Sequence, residues 1–126
     1  MTPPFLIDAD LLLHAIEGAH PRLRDRIEDC EPGEIVLSAI SLAEVALGSA
    51  LGKPPPPHIL DKFLAQVPVV PFDEPAARAH AALPFRRARF DRLLAAHALS
   101  LRVAIITNNE RDFIDVPGLR VENWTR

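Results

Sequence analysis

Short apolar runs, each leading into a carboxylate or amide, set the strongest constraint on what this chain can fold into. Phe5-Leu6-Ile7 runs into Asp8, and Ala104-Ile105-Ile106-Thr107 runs into Asn109 and Asp112. Glu44 lies inside Ser41-Leu42-Ala43-Glu44-Val45, and Asp91 opens Asp91-Arg92-Leu93-Leu94-Ala95-Ala96-His97-Ala98. Each of these polar groups falls where a strand ends or a helix begins. In an open parallel sheet such positions gather in the crevice at the carboxyl ends of the strands, where ligands bind. Carboxylates crowded there repel one another unless a cation sits between them. The pattern predicts a scaffold for a hard divalent metal.

The rest of the chain supplies the frame. Phe5–Ile7 reads as a buried strand, followed from Asp10 by an amphipathic helix through Ile16 that Gly18 terminates. Pro21 suits the first position of a second helix through Ile27, and Pro32-Gly33 is a turn. Ile35-Val36-Leu37 is a second strand, and a helix starts at Ser41 and runs to about Leu51. Pro54 to Pro57 are four consecutive prolines, which break that helix and read as a stiff exposed loop. Further helices are expected over Ile59–Val67, Glu74–Leu83 and Asp91–Leu101. Strands are expected over Val69–Phe72, Ala104–Thr107 and Leu119–Glu122, with a helical turn over Glu110–Phe113. This alternation predicts an α/β fold, a mostly parallel central sheet flanked by helices, in one domain spanning 1–126.

Bulk properties narrow the function. A chain of 126 residues with 48% hydrophobic and 25% charged residues suits one globular domain. Its single cysteine, Cys30, excludes an internal disulfide and gives no thiolate cluster for zinc, so a reducing cytoplasm is the expected home. No signal peptide is visible, and the apolar runs are far shorter than the ~20 residues of a membrane span. The net charge of -3 carries no global footprint for nucleic acid. Arg86, Arg87 and Arg89 nevertheless cluster just before Asp91, where they could hold an RNA backbone, or form only a solvated basic turn.

Each acidic residue has an ordinary alternative. Asp8 could cap the following helix, but Asp10 is the better placed cap, which leaves Asp8 for function. Glu44 could close a capping box with Ser41, a role compatible with one in a site. Asp91 could simply complement the dipole of its helix. Asn109 and Asp112 have the usual composition of a turn. The five histidines, His14, His20, His58, His80 and His97, show no ligand spacing and read as surface or packing residues.

Together these segments resemble the PIN domains of VapC-like toxins, the ribonuclease half of bacterial toxin–antitoxin pairs. Leu6-Ile7-Asp8-Ala9-Asp10-Leu11-Leu12-Leu13 is similar to the family's opening motif, and Ser38-Ala39-Ile40-Ser41-Leu42-Ala43-Glu44-Val45 to its second, with the helical glutamate. The run from Asp91 resembles the third, Thr107-Asn108-Asn109-Glu110-Arg111-Asp112-Phe113 the fourth, and Gly118-Leu119-Arg120-Val121-Glu122-Asn123-Trp124 the usual ending. The resemblance implies an endoribonuclease dependent on Mg²⁺ or Mn²⁺. In it Asp8 and Asp91 would be the main metal ligands. Glu44 would bind through water or direct the attacking water, with Asn109, Asp112, Asp10 and Ser41 in support. It also implies a homodimer, for which the apolar positions of Leu11–Ile16 and Ile59–Val67 look like more than one core hides, and a VapB-like antitoxin partner.

Two features depart from the family pattern. Asp10 stands where relatives carry Asn, and the stretch before Asp91 lacks a glycine common there. Two rival functions stay open. Asp8-Ala9-Asp10 resembles the Asp-x-Asp of haloacid-dehalogenase-type phosphatases, though no suitable lysine lies near the third motif. A catalytically degenerate PIN module binding RNA or protein is the other, against which stand the intact Asp8, Glu44 and Asp91.

Overall fold

The computed structural model describes residues 3–84 and 89–126. Its elements are β1 (Phe5–Ile7), α1 (Ala9–Glu17), α2 (Pro21–Glu28), β2 (Ile35–Ser38), α3 (Ala39–Ala50), α4 (Pro57–Gln66), β3 (Val69–Val70), α5 (Glu74–Ala81), α6 (Arg89–Leu101), β4 (Ala104–Ile106), a 3₁₀ turn (Glu110–Asp112) and β5 (Val121–Glu122). The strands form one sheet in the order β3-β2-β1-β4-β5, and every neighbouring pair is parallel. The expected α/β architecture is therefore present.

The apolar runs form strands because both faces of the sheet are covered, so neither face calls for polar residues. Alternation assigns each side chain to a layer. Ile7, Ile35, Leu37 and Ile106 pack with Leu11, Leu12, Leu23 and Ile27 from α1 and α2. Leu6, Val36 and Ile105 point the other way, onto Leu94, Ala95 and Ala98 of α6 and onto Phe113. Ala95, Ala96 and Ala98 are fully buried, so small side chains bring α6 close to the sheet. A third cluster of Ala9, Val45 and Leu60 joins α1, α3 and α4.

The chain moves outward from β1 through β2 to β3, then returns to the other side of β1 as β4. The strand order thus reverses between β1 and β4, and a crevice opens at their carboxyl ends. Asp8 and Thr107 stand at this mouth, one residue beyond the register pair Ile7 and Ile106.

Element ends differ from the sequence reading for local reasons. The third strand stops at Val70, before Pro71, which has no N–H for the ladder. Helix α4 begins at Pro57, because proline is tolerated where backbone N–H groups have no helical partner. Helix α3 begins at Ala39, capped by Ser38, whose hydroxyl accepts from the Ile40 N–H at 3.1 Å. Ser41 is therefore not a cap, and the capping box with Glu44 does not form. Ser41 is instead buried inside α3.

Gly18 ends α1 at φ 74°, with its N–H on the carbonyls of Ala15 and His14. Only glycine takes this left-handed turn without strain. Gly18→Ala is expected to cost about 1 kcal/mol of stability, measurable as a lower urea midpoint at unchanged slope.

The apolar segments read as surplus are largely packed. Leu11, Leu12, Ala15, Leu60 and Val67 are buried, and Leu13, Ile16, Phe63 and Leu64 pack against them. Among the described residues the exposed large apolar side chains are Leu47, Leu51, Phe90 and Ile114, which lie outside the Leu11–Ile16 and Ile59–Val67 segments expected to form a dimer surface. The proline loop is mostly exposed, as expected, but Pro55 is buried. Among the described residues no helix is long and apolar enough to cross a membrane.

Candidate active site

Asp8 serves as the N-cap of α1. Its Oδ1 accepts the Leu11 N–H at 2.8 Å, and its Oδ2 accepts the Thr107 hydroxyl. This corrects the assignment of the cap to Asp10, which lies exposed in the first turn. Capping does not exhaust Asp8, because the residue is 8% exposed and its carboxylate sits at the crevice. Burial pushes its carboxyl above the ordinary range and nearby Asp10 adds to the rise, against the lowering by Thr107 and the Leu11 N–H.

Glu44 reaches the same region from α3. Burial raises its carboxyl, and the charges of Asp10 and Asp8 raise it further. Asp91, in the first turn of α6, is pushed up to about 6, first by burial, then by the charges of Asp112 and Asp8, a hydrogen bond with Asp112, and Glu44. Carboxylates just beyond β1, on α3 and on α6 are thus coupled across the crevice, Asp8 acting on Glu44 and both acting on Asp91, with Asp10 and Asp112 adding to the cluster. Asp112 is held by Asn109, whose side-chain amide donates to it. Asp112 also hydrogen-bonds Asp91 and, after burial, is the first cause of that carboxyl's rise.

Two features were not anticipated. Thr107 is fully buried and accepts the Asn109 N–H at 2.9 Å while donating to Asp8, so one hydroxyl ties the fourth motif to the first. Its only trace in the sequence is a hydroxyl residue ending an apolar run. Arg92, beside Asp91, is 6% exposed and pairs with Asp115 at 2.6 Å, fastening the start of α6 to the segment after the 3₁₀ turn. His97 is a packing residue, fully buried on α6 with Nδ1 2.8 Å from the Ser38 hydroxyl. Arg86 and Arg87 lie outside the described residues, as does the side chain of Arg89.

The donors facing the crevice are carboxylate, hydroxyl and amide oxygens, the set that suits a hard divalent cation. Among the described residues no three acidic, imidazole or thiol groups stand together closely enough to hold an ion unaided. An ion that keeps several of its waters requires only one or two carboxylates. Burial is the first cause of the upward shifts of Asp8, Glu44 and Asp91, and a neighbouring carboxylate adds to each.

The PIN domain family matches residues 5–119, and the chain belongs to that family. It is 28% identical over 130 residues to the tRNA(fMet)-specific endonuclease VapC of Shigella flexneri, covering 96% of this chain and 98% of that one. It is 23% identical over 129 residues to Ribonuclease VapC2 of Haemophilus influenzae, covering 95% and 97%. Among solved structures, DNA-bound VapBC from Salmonella typhimurium superposes with a TM-score of 0.78 at 27% identity, over 96% of this chain and 98% of that one. VapBC2 from Rickettsia felis bound to a promoter DNA fragment gives 0.82 at 22% identity, over 95% and 98%, a likeness of fold.

Proposed function

We infer that this chain, taken as one PIN domain over 1–126, is a VapC-type toxin: an endoribonuclease that hydrolyses RNA phosphodiester bonds with a divalent metal. The observation that carries the reading is the meeting of Asp8, Glu44 and Asp91 from three separate parts of the fold: Asp8 helps to raise the carboxyls of both Glu44 and Asp91, and Glu44 helps to raise that of Asp91. Nucleases of this family depend on divalent metal; Mg²⁺, with Mn²⁺ as substitute, is our assignment here.

Asp8 and Asp91 are the proposed ligands. Asp8 is oriented by Thr107 and the Leu11 N–H, and Asp91 by Asp112 and the anchored start of α6. A bound ion would neutralise the phosphate and lower the pKa of its water. Glu44, its carboxyl raised by burial and by Asp10 and Asp8, would accept the proton of the attacking water as the water oxygen bonds to phosphorus, while the leaving oxygen takes a proton from solvent as its bond to phosphorus breaks. Asn109 fixes Asp112, Asp10 adds charge at the rim, and Ser41 is buried on α3 one turn before Glu44. Arg86, Arg87 and Arg89, adjoining Asp91 in sequence, are proposed to hold the RNA backbone. The partners would be RNA, a VapB-like antitoxin and a second copy of the chain, in the cytoplasm. The names of the relatives make tRNA the first RNA to try.

The deciding experiment is cleavage of total tRNA by purified protein in Mg²⁺, with EDTA and Mn²⁺ add-back as controls. Cleavage is expected to stop in EDTA and return with Mn²⁺. Binding without cleavage in either metal would favour the degenerate module. Release of phosphate from small monoesters, with RNA left intact, would favour the phosphatase.

A further inference from the structure

A hollow of about 200 Å³ opens beside the acidic cluster, lined by Asp10 and Leu13 of α1, Glu44, Val45 and Gly48 of α3, and Lys53. We infer that it receives the nucleotide adjoining the scissile bond of a single-stranded RNA segment, with the Lys53 ammonium on that nucleotide's phosphate. This rests on the nuclease reading above.

Position comes first. Glu44 belongs both to the hollow and to the acidic cluster, so a strand whose phosphate lies at the cluster places its next residue here. Size and surface agree. At about 200 Å³ the hollow has room for one base or ribose. Leu13 and Val45 give an apolar floor for a base or ribose, while splayed single-stranded bases are what proteins read in RNA.

Charge picks out Lys53. It is one of two lysines in a chain of net charge -3, and it faces a hollow otherwise bearing two carboxylates. Among the described residues it makes no ion pair. Its backbone is fixed: the Lys53 N–H donates to the Gly48 carbonyl at 2.9 Å, and the Ser49 hydroxyl donates to the Pro55 carbonyl at 2.8 Å. The prolines that follow stiffen the same loop. A cation on such a loop is pre-placed, which lowers the entropy lost on binding. Gly48 keeps the hollow open. A Cβ there would lie 3.9 Å from the Lys53 Cβ, so a longer side chain would enter the space itself.

The test compares wild type, Lys53→Gln, Lys53→Arg and Gly48→Leu on two substrates in Mg²⁺. One is a single-stranded RNA oligonucleotide that the wild type cuts. The other is bis(p-nitrophenyl) phosphate, a diester with no neighbouring nucleotide. On RNA, Lys53→Gln and Gly48→Leu should each raise KM about tenfold, the worth of one charge-assisted phosphate contact, and Lys53→Arg should restore it. The salt dependence of RNA binding should become shallower by about 0.7 in Lys53→Gln, one phosphate contact on a single strand. All variants should turn over the small diester like wild type. Unchanged KM on RNA in Lys53→Gln, or equal losses on both substrates, would overturn the inference and leave the nuclease reading standing. If Gly48→Leu does not fold, Lys53→Gln and its rescue decide. Wild-type protein that cuts neither substrate in Mg²⁺ or Mn²⁺ would instead overturn the reading beneath.

Discussion

Asp91→Asn should abolish RNA cleavage, by roughly a thousandfold or more, the loss that follows removal of a group stabilising transition-state charge, and yet yield a more stable metal-free protein. The folded protein raises the Asp91 carboxyl from 3.8 to about 6, with burial the largest cause and neighbouring carboxylates adding to it. The folded state therefore binds its proton more tightly than the unfolded chain. Stability falls as pH rises through that window, and the full penalty is present at pH 7. A displacement of this size corresponds to about 3 kcal/mol, which screening at a partly exposed group reduces to about 1–2 kcal/mol. Melting in EDTA should show Asp91→Asn above wild type at pH 7, with the gap closing near pH 4. Added Mg²⁺ should stabilise wild type and leave the variant unmoved, since only a bound ligand shifts the equilibrium. A variant that melts at or below wild type at pH 7 would remove the electrostatic argument, and one that still cuts RNA would remove Asp91 as a ligand.

Asp8→Ala should be equally inactive but less stable, by about 2 kcal/mol. Asp8 is the cap of α1 as well as a member of the cluster. Its loss leaves the Leu11 N–H without its cap, at about 1 kcal/mol, and the buried Thr107 hydroxyl without an acceptor, at about 1–3 kcal/mol. Relief of repulsion and of charge burial recovers part of this. Two carboxylates of one site are thus expected to shift stability in opposite directions, measurable by urea unfolding at pH 7 in EDTA. Equal and positive shifts would mean that the hydrogen bonds of Asp8 contribute little beside its charge.

The features legible in the sequence are those written in neighbouring residues. Phe5–Ile7, Ile35–Leu37 and Ala104–Ile106 could be read as strands because a parallel sheet buried on both faces demands unbroken apolar runs. Asp8, Glu44 and Asp91 stood out because charge at the end of such a run, or within an apolar helix, needs a reason. Contacts between distant segments left no such mark. The hydroxyl of Thr107 on Asp8, Asp112 against Asp91 and the Arg92–Asp115 pair each depend on strand register or helix docking. The start of α3 was misplaced because Ser38 and Ser41 are both good caps, and only the end of β2 at Ser38 decides between them. The apolar excess of α1 and α4 was overestimated because the third cluster, where Leu60 meets Ala9 and Val45, cannot be counted from one helix at a time.

The hydrogen bond from Thr107 to Asp8 joins residues 99 positions apart, and that span bears on biosynthesis. Asp8 leaves the ribosome well before Asp91, Thr107 and Asp112, the last two about a hundred residues behind it. Strand β4 must then insert beside β1 before the acidic groups converge. Such long-range parallel pairing is among the slower steps in folding. Unfinished chains, and chains cut short before β4, would carry the first acidic motif without a working site. On the proposed function, a cell making this protein would meet its activity only after β4 and the segment carrying Asp112 had been translated and docked.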